Sequence, residues 1–198
     1  MGNSVIDALT QNIAIAEKRS TILAKLNLKP RSYLLLTLHR AENVDDKAKL
    51  TRALEAFEAA AKEAGLPILF PIHPRTTRRL KEFGLEKRAA TLSSLRRIEP
   101  TGYLDMLVLE KNAALVMTDS GGLQEEACFF RVPCVTLREN TERPETLDIR
   151  ANVLAGTDPR RVADAVRRQL DAKRAWPNPY GDGTTSKKIG GIVDEFLG

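Results

Sequence analysis

The stretch TDSGGLQEEA, residues 118–127, sets Asp119, Ser120, Gly121 and Gly122 just ahead of two adjacent carboxylates, Glu125 and Glu126. An apolar run, AALVMT at 113–118, precedes it, and a helix-like run follows. A helix N-terminus offers unpaired N–H groups and a partial positive charge. Glycines there let a ligand approach the backbone closely and Ser120 adds a hydroxyl, so the chemistry is that of a phosphate or diphosphate cradle. The stretch has neither the Lys of a P-loop nor the third glycine of a dinucleotide fingerprint, and a simple capped turn reads equally well. Glu126 lies four residues after Gly122 and shares its helical face, where a carboxylate could accept both hydroxyls of a ribose joined to the diphosphate. Glu125 points elsewhere, toward the Arg-rich segment downstream. For both, compensation of the helix dipole is the plainer alternative.

Three further polar segments follow apolar runs: HRAEN (39–43), HPRT (73–76) and RENTERPE (138–145). His39 and His73, the two histidines of the chain, each take the first position of such a segment. In an open parallel sheet, ligands bind beyond the carboxyl ends of the strands. His39 with Arg40 could donate to the leaving oxygen of a diphosphate. Arg143, flanked by Glu142 and Glu145, is either pre-oriented for a ligand oxygen or a bridge within its own loop.

The elements that must position these groups are legible from periodicity. Apolar repeats predict a helix over 4–27, with Ser4 and Asp7 as its capping pattern. Continuous apolar runs predict strands at 33–38, 67–72, 114–118, 133–137 and 152–156, with a shorter one within 94–100. Helices are predicted over 47–64, capped by Asp45 or Asp46 and closed by Gly65, and over 75–83, 102–112 and 122–130. Asp158 followed by Pro159 opens another helix. A turn-rich linker at 176–183 leads to a final helix at about 185–197. Strands without alternation are buried on both faces, and strand–helix alternation requires parallel pairing. The fold class is therefore a doubly wound, Rossmann-like α/β domain.

Composition narrows the function. Hydrophobic residues make up 42% and charged residues 29% of 198, ordinary for a globular protein. No apolar run approaches the roughly 18 residues a membrane span needs. The N-terminus lacks the basic and apolar regions of a secretory signal. Its opening MGNSVI has Ile6 where a myristoylation signal has Ser or Thr. A cytoplasmic location follows as the expectation. The net charge of +5 falls largely in segments such as 160–174, where Val162, Val166 and Leu170 mark the opposite, core-facing side. With aromatics at 5% and no docking motif, nucleic acid is not an expected partner. Cys128 and Cys134 have no companions at metal-ligand spacing, so no metal site and no disulfide framework is expected.

The strings HRAEN, GYLDMLVL, TDSGGLQEEA, PCVTLRENTERPET, NVLAGTD and NPYGDGTTSKKI occur in an order that resembles the non-hydrolysing UDP-N-acetylglucosamine 2-epimerases, over most of the chain. The resemblance implies the second of two Rossmann-like domains of a GT-B architecture. Residues 1–198 would form this single UDP-binding domain, with the helices at 4–27 and 185–197 near the interdomain junction. It further implies that Ser120, Gly121 and Gly122 bind the diphosphate and that Glu126 takes the ribose hydroxyls. Arg143 and Arg40 would contact substrate near the phosphates, and His39 would assist departure and return of UDP. Met106 would pack on the uracil, where relatives often carry Phe. His73 matches a loop associated with a second, regulatory UDP-GlcNAc. The implied reaction converts UDP-GlcNAc to UDP-ManNAc by elimination and re-addition of UDP, without cofactor. The proton-abstracting carboxylates would belong to the N-terminal domain, leaving this chain a UDP binder that does not turn over alone and whose exposed junction face favours a homodimer. A stand-alone nucleotide-sugar binding module and the donor domain of a GT-B glycosyltransferase are the competing readings.

Overall fold

The computed structural model describes residues 2–198; Met1, part of the expected 1–198 domain, lies outside the described residues. The order of elements is α1 (Ser4–Arg19), α2 (Ile22–Leu26), β1 (Leu34–Thr37), α3 (Ala41–Val44), α4 (Lys47–Ala64), β2 (Ile68–Pro71), α5 (Pro74–Glu82), α6 (Glu86–Thr91), β3 (Leu95–Ile98), α7 (Tyr103–Lys111), β4 (Leu115–Thr118), α8 (Gly121–Phe129), β5 (Cys134–Thr136), α9 (Pro144–Asp148), β6 (Asn152–Leu154), α10 (Pro159–Leu170) and α11 (Thr185–Leu197).

The six strands form one sheet in the order β3-β2-β1-β4-β5-β6, with every pair parallel. Alternate side chains leave opposite faces of a strand, and both faces here are covered. Leu34, Leu36, Ile68, Phe70, Leu115, Met117 and Val135 face a core with Leu50, Leu54 and Phe57 of α4 and Val162 and Val166 of α10. Leu35, Leu69, Val116 and Cys134 face the other core, with Leu9, Leu107, Leu109 and Ala127. That two-sided burial is why the strands read as unbroken apolar runs. Each fully buried Leu or Phe contributes about 1.5–3 kcal/mol, so α4 is held chiefly by its packing.

The predicted ends of α4 hold. Asp46 accepts a hydrogen bond from Lys49 N at 2.9 Å, and Gly65 closes the helix at φ 61°, a conformation costly for other residues. Asp158 caps α10 by accepting from Arg160 N and Arg161 N.

Three expectations change. The helix expected over 4–27 is two helices, because Ser20 takes an extended backbone and its hydroxyl turns away to Asp105. Its N-cap is Asn3, which accepts from Val5 N, in place of the Ser4–Asp7 pattern. Asp7 instead caps the last helix, accepting from Thr185 N and Ser186 N. Short helices α3 and α9 start within the polar segments after β1 and β5, and α6 occupies a stretch given no element, each too brief to show a period. The linker at 176–183 is anchored: Trp176 is buried and its indole N–H donates to Cys128 O at 3.0 Å. Helix α11 leaves Ile189, Ile192, Val193, Phe196 and Leu197 exposed. Among the described residues, no helix is long and apolar enough to cross a membrane.

Candidate functional site

The strand order reverses between β1 and β4, and the chain leaves these neighbours in opposite directions. That switch point opens a crevice at the carboxyl ends of the strands. The segments after β1, β2, β4 and β5 converge there, carrying the polar residues singled out by the sequence.

The organising group is Asp119, fully buried at the end of β4. Its carboxylate accepts from His39 N at 3.0 Å, Arg40 N at 2.8 Å and Asn43 Nδ2 at 3.1 Å. Asn43 also donates to Leu137 O at 2.9 Å, joining the segments after β1, β4 and β5 through one amide. Neither residue was marked as part of the site from sequence. The available signal was the HRAEN string itself, where a buried Asn must satisfy its donors.

The His39 side chain stands 3.4 Å from Asp119, Nδ1 to Oδ1. Burial holds its pKa below the ordinary imidazole value. The Asp119 carboxylate opposes that shift, while His73, Arg40 and Arg75 add to it. The His39 and His73 rings lie 5.2 Å apart, tilted by 31°. His73 caps α5, its Nδ1 accepting from Arg75 N at 3.1 Å, so the proton of the neutral ring sits on Nε2. Both rings line a cavity of about 150 Å³ together with Met106, Leu123, Thr101 and Pro100. The structure thus brings Met106, His39 and His73 to one wall. Arg40, Arg75 and Arg138 border an adjoining cavity of about 450 Å³.

Ser120 is the N-cap of α8, yet its side chain makes no capping bond. Its backbone N donates to Thr118 Oγ1 at 2.9 Å, and that hydroxyl bonds Thr37 across the switch point. Gly121 and Gly122 have no positive φ. A Cβ built on Gly121 would meet Glu142 Oε2 at 3.7 Å, and one on Gly122 would meet Ser120 Oγ at 3.9 Å. These are ordinary contacts, so neither backbone conformation nor packing demands glycine at either position.

Glu125 and Glu126 separate as the helical spacing implies. Glu125 is buried and ion-paired to Arg143 Nε. Glu126 is partly exposed, and burial, with the Glu125 carboxylate adding to it, raises its pKa above the ordinary carboxylate value. The expectation that Arg143 sits between Glu142 and Glu145 is corrected. Glu142 pairs with Arg138 Nη1 at 2.8 Å. Glu145 accepts from Tyr180 OH at 3.3 Å, because Pro144 starts α9 and turns that side chain away. Arg143 therefore reaches α8, where its guanidinium lies near Gly121. Arg138, overlooked in the sequence, is nearly buried between Glu42 and Glu142 and stiffens the segment that carries Arg143.

The assembled site has a helix N-terminus with two unforced glycines, a guanidinium on one side, an oriented imidazole on the other, and a carboxylate one turn into the helix. Such an arrangement suits a diphosphate ester of a polyhydroxy ligand.

Comparison with known proteins bears on this geometry. A family model described as UDP-N-acetylglucosamine 2-epimerase matches residues 1–194. The chain is 50% identical over 196 residues to a UDP-N-acetylglucosamine 2-epimerase of Methanococcus maripaludis, covering 98% of this chain and 53% of that protein. It is 48% identical over 191 residues to the corresponding protein of Methanocaldococcus jannaschii, covering 96% and 52%. A crystal structure of the Methanocaldococcus jannaschii UDP-GlcNAc 2-epimerase in complex with UDP-GlcNAc and UDP superposes with a TM-score of 0.91 at 47% identity, covering 98% of this chain and 54% of that one. The chain spans about half the length of the curated relatives it matches.

Proposed function

The chain belongs to the UDP-N-acetylglucosamine 2-epimerase family, and from that premise we propose that it is the domain that grips the UDP moiety during interconversion of UDP-GlcNAc and UDP-ManNAc. The observation that carries this reading is the pair Gly121–Gly122. The fold requires glycine at neither position, whereas a diphosphate lying against the N-terminus of α8 requires it at both.

In this reading Ser120, Gly121 and Gly122 hold the diphosphate, Arg143 and Arg40 flank it, Glu126 accepts the ribose hydroxyls and Met106 packs on the uracil. His39 acts on the leaving oxygen. The free imidazole is biased toward its neutral form by burial and nearby cations. An arriving diphosphate brings negative charge and draws a proton onto the ring. The resulting imidazolium, held by Asp119, stabilises the charge that develops on UDP as the glycosidic C–O bond breaks. It stays protonated while UDP adds back and returns the proton to solvent when the nucleotide sugar leaves.

The proton exchanged at the sugar C2 needs a base that this site does not supply. We assign it to an N-terminal domain corresponding to the other half of the relatives' length, with α11's exposed apolar face at the junction. His73 is left to a regulatory nucleotide-sugar contact. In the isolated chain, the same apolar face would favour self-association into a homodimer. Buried, unpaired Cys128 and Cys134 agree with a reducing, cytoplasmic setting.

Calorimetric titration with UDP tests the reading. Binding is expected, weakened by Glu126→Ala more than by Glu125→Ala. No heat at millimolar UDP, or equal effects of the two substitutions, would refute it. Conversion of UDP-GlcNAc by this chain alone would refute the assignment of the base to another domain.

A further inference from the structure

The two sides of the cradle, Ser120 at the start of α8 and Arg143 after β5, are tied together by a buried amide. Gln124, one turn into α8, has no exposed surface. Its Nε2 donates to Ser120 O at 3.3 Å. Its Oε1 accepts from Thr141 Oγ1 at 2.5 Å and from Asn152 Nδ2 at 3.2 Å. Asn152, buried on β6, also donates from Nδ2 to Thr146 Oγ1 at 3.1 Å, while its Oδ1 accepts from Thr136 Oγ1 at 2.9 Å. Turning the Asn152 amide over would set its oxygen against Gln124 Oε1, acceptor against acceptor, so the pattern has one direction. The network ends on a single residue. Arg143 N donates to Thr141 Oγ1 at 3.0 Å, and Arg143 O accepts from Thr146 Oγ1 at 2.7 Å and from Thr146 N at 3.1 Å. Arg143 needs such anchors, because its backbone, at φ −128° and ψ 57°, belongs to neither a helix nor a strand ladder.

We propose that Gln124 and Thr141 are positioning residues for the diphosphate: through the Thr141 hydroxyl, the Gln124 amide holds the Arg143 backbone at a fixed place beside the N-terminus of α8. The inference rests on the assignment of Arg143 to the diphosphate. Adjacent residues of α8 hold the two ends of this arginine, Gln124 the backbone and Glu125 the guanidinium, which is ion-paired at Nε. Nη1 donates to Glu142 O at 2.9 Å. Nη2 then lies toward the glycines, 4.0 Å from a Cβ built on Gly121, and is the nitrogen placed to meet a phosphate oxygen there. A guanidinium bonds an oxyanion through N–H groups of fixed direction. A backbone free to turn would spread those directions, and the ordering would have to be made up on binding. The same amide reaches Ser120 O, so the two sides of the cradle keep their spacing as one unit.

The test uses the whole chain with UDP as probe, in wild type, Thr141→Val, Thr141→Ser and Gln124→Met, with thermal unfolding and amide hydrogen exchange measured alongside calorimetry. Valine matches threonine in shape and lacks the hydroxyl, and position 141 is only partly buried, so Thr141→Val should melt within about 4 °C of wild type. Its UDP affinity should nonetheless fall about tenfold. The Arg143 amide, deprived of its acceptor, should exchange faster, a readout independent of binding. Thr141→Ser restores the hydroxyl and should return the affinity to within about twofold of wild type. Gln124→Met should weaken UDP binding at least as much as Thr141→Val and should also lower the melting temperature, because donors of Thr141 and Asn152 lose their acceptor. Wild-type UDP binding with unchanged affinity in Thr141→Val would overturn this inference alone. Thr141→Ser as weak as Thr141→Val, or an unchanged Arg143 exchange rate in Thr141→Val, would do the same. Failure of wild type to bind UDP, with Arg143 exchange still dependent on the Thr141 hydroxyl, would overturn the nucleotide reading on which it rests.

Discussion

Removing the Asp119 carboxylate is the perturbation most tightly constrained by the site. The group is fully buried and accepts from two backbone N–H groups and one side-chain amide, at 2.8–3.1 Å. Hydrogen bonds to a charged acceptor contribute about 1.5–3 kcal/mol each, and donors left without a partner cost about 1–3 kcal/mol. His39 and Arg40 border open cavities, so water can reach their amides and recover part of the loss. Asn43 is enclosed and cannot be rescued that way. For Asp119→Ala the expected destabilisation is therefore about 3–5 kcal/mol, in the range for breaking one side of a buried charged pair. At roughly 2–4 °C per kcal/mol for a chain of this size, the melting temperature should fall by about 6–20 °C. Asp119→Asn keeps one acceptor oxygen but turns an N–H toward a donor, and about 1–3 kcal/mol should be lost. It should also lower the titration midpoint of His39, because the carboxylate is what opposes the depression from burial. Thermal unfolding by circular dichroism measures the first effect and NMR titration of the imidazole the second. A Asp119→Ala variant within about 1 kcal/mol of wild type, or a His39 midpoint that stays or rises in Asp119→Asn, would refute the view that this carboxylate builds the site.

Two further outcomes are expected. Gly122→Ala should leave stability unchanged or raise it by about 0.5–1 kcal/mol, since alanine favours a helix and its Cβ has room, while UDP binding by calorimetry weakens; a loss of stability would show that the glycine serves the fold. Asp7→Ala should free the start of α11, detected as faster proteolysis near Thr185 and faster amide exchange at Thr185 and Ser186. The Asp7 carboxyl is held below its ordinary pKa of 3.8 by its hydrogen bonds to Ser186. A depressed carboxyl stabilises the folded form fully above its unfolded pKa and ceases to as pH falls through the folded value. Wild-type α11 should therefore loosen only below about pH 3.8, and Asp7→Ala should not share that transition. Loosening that begins near neutral pH would contradict the assignment.

How much of this was legible in sequence differs element by element, for physical reasons. The inner strands β1, β2, β4 and β5 were visible because a parallel sheet covered on both faces forces them to be largely apolar, as Leu34, Leu35 and Leu36 show, whereas the edge strand β3 leaves Arg96 and Arg97 exposed and carries a weaker signal. The ends of α4 and α10 were visible because Asp46, Gly65 and Asp158 act on backbone within a few residues. Glu125 and Glu126 could be separated in direction because helical geometry depends only on spacing. The break at Ser20 was hidden, since the hydroxyl that turns the chain bonds Asp105, 85 residues away. Asp7 misled for the same reason: a short-range capping pattern was outbid by backbone donors 178 residues downstream.

By itself, then, the order of amino acids determined the fold class, the strand–helix alternation and which polar segments leave strand ends, because local spacing and burial on two faces leave their mark residue by residue. Only the tertiary structure decided who meets whom at the switch point. It made Asp119 the group on which His39, Arg40 and Asn43 converge and gave Arg143 to Glu125 in place of its sequence neighbours. Those pairings are set by the parallel adjacency of β1 and β4 and by the approach of the segment after β5 to α8, which no periodicity in the chain encodes.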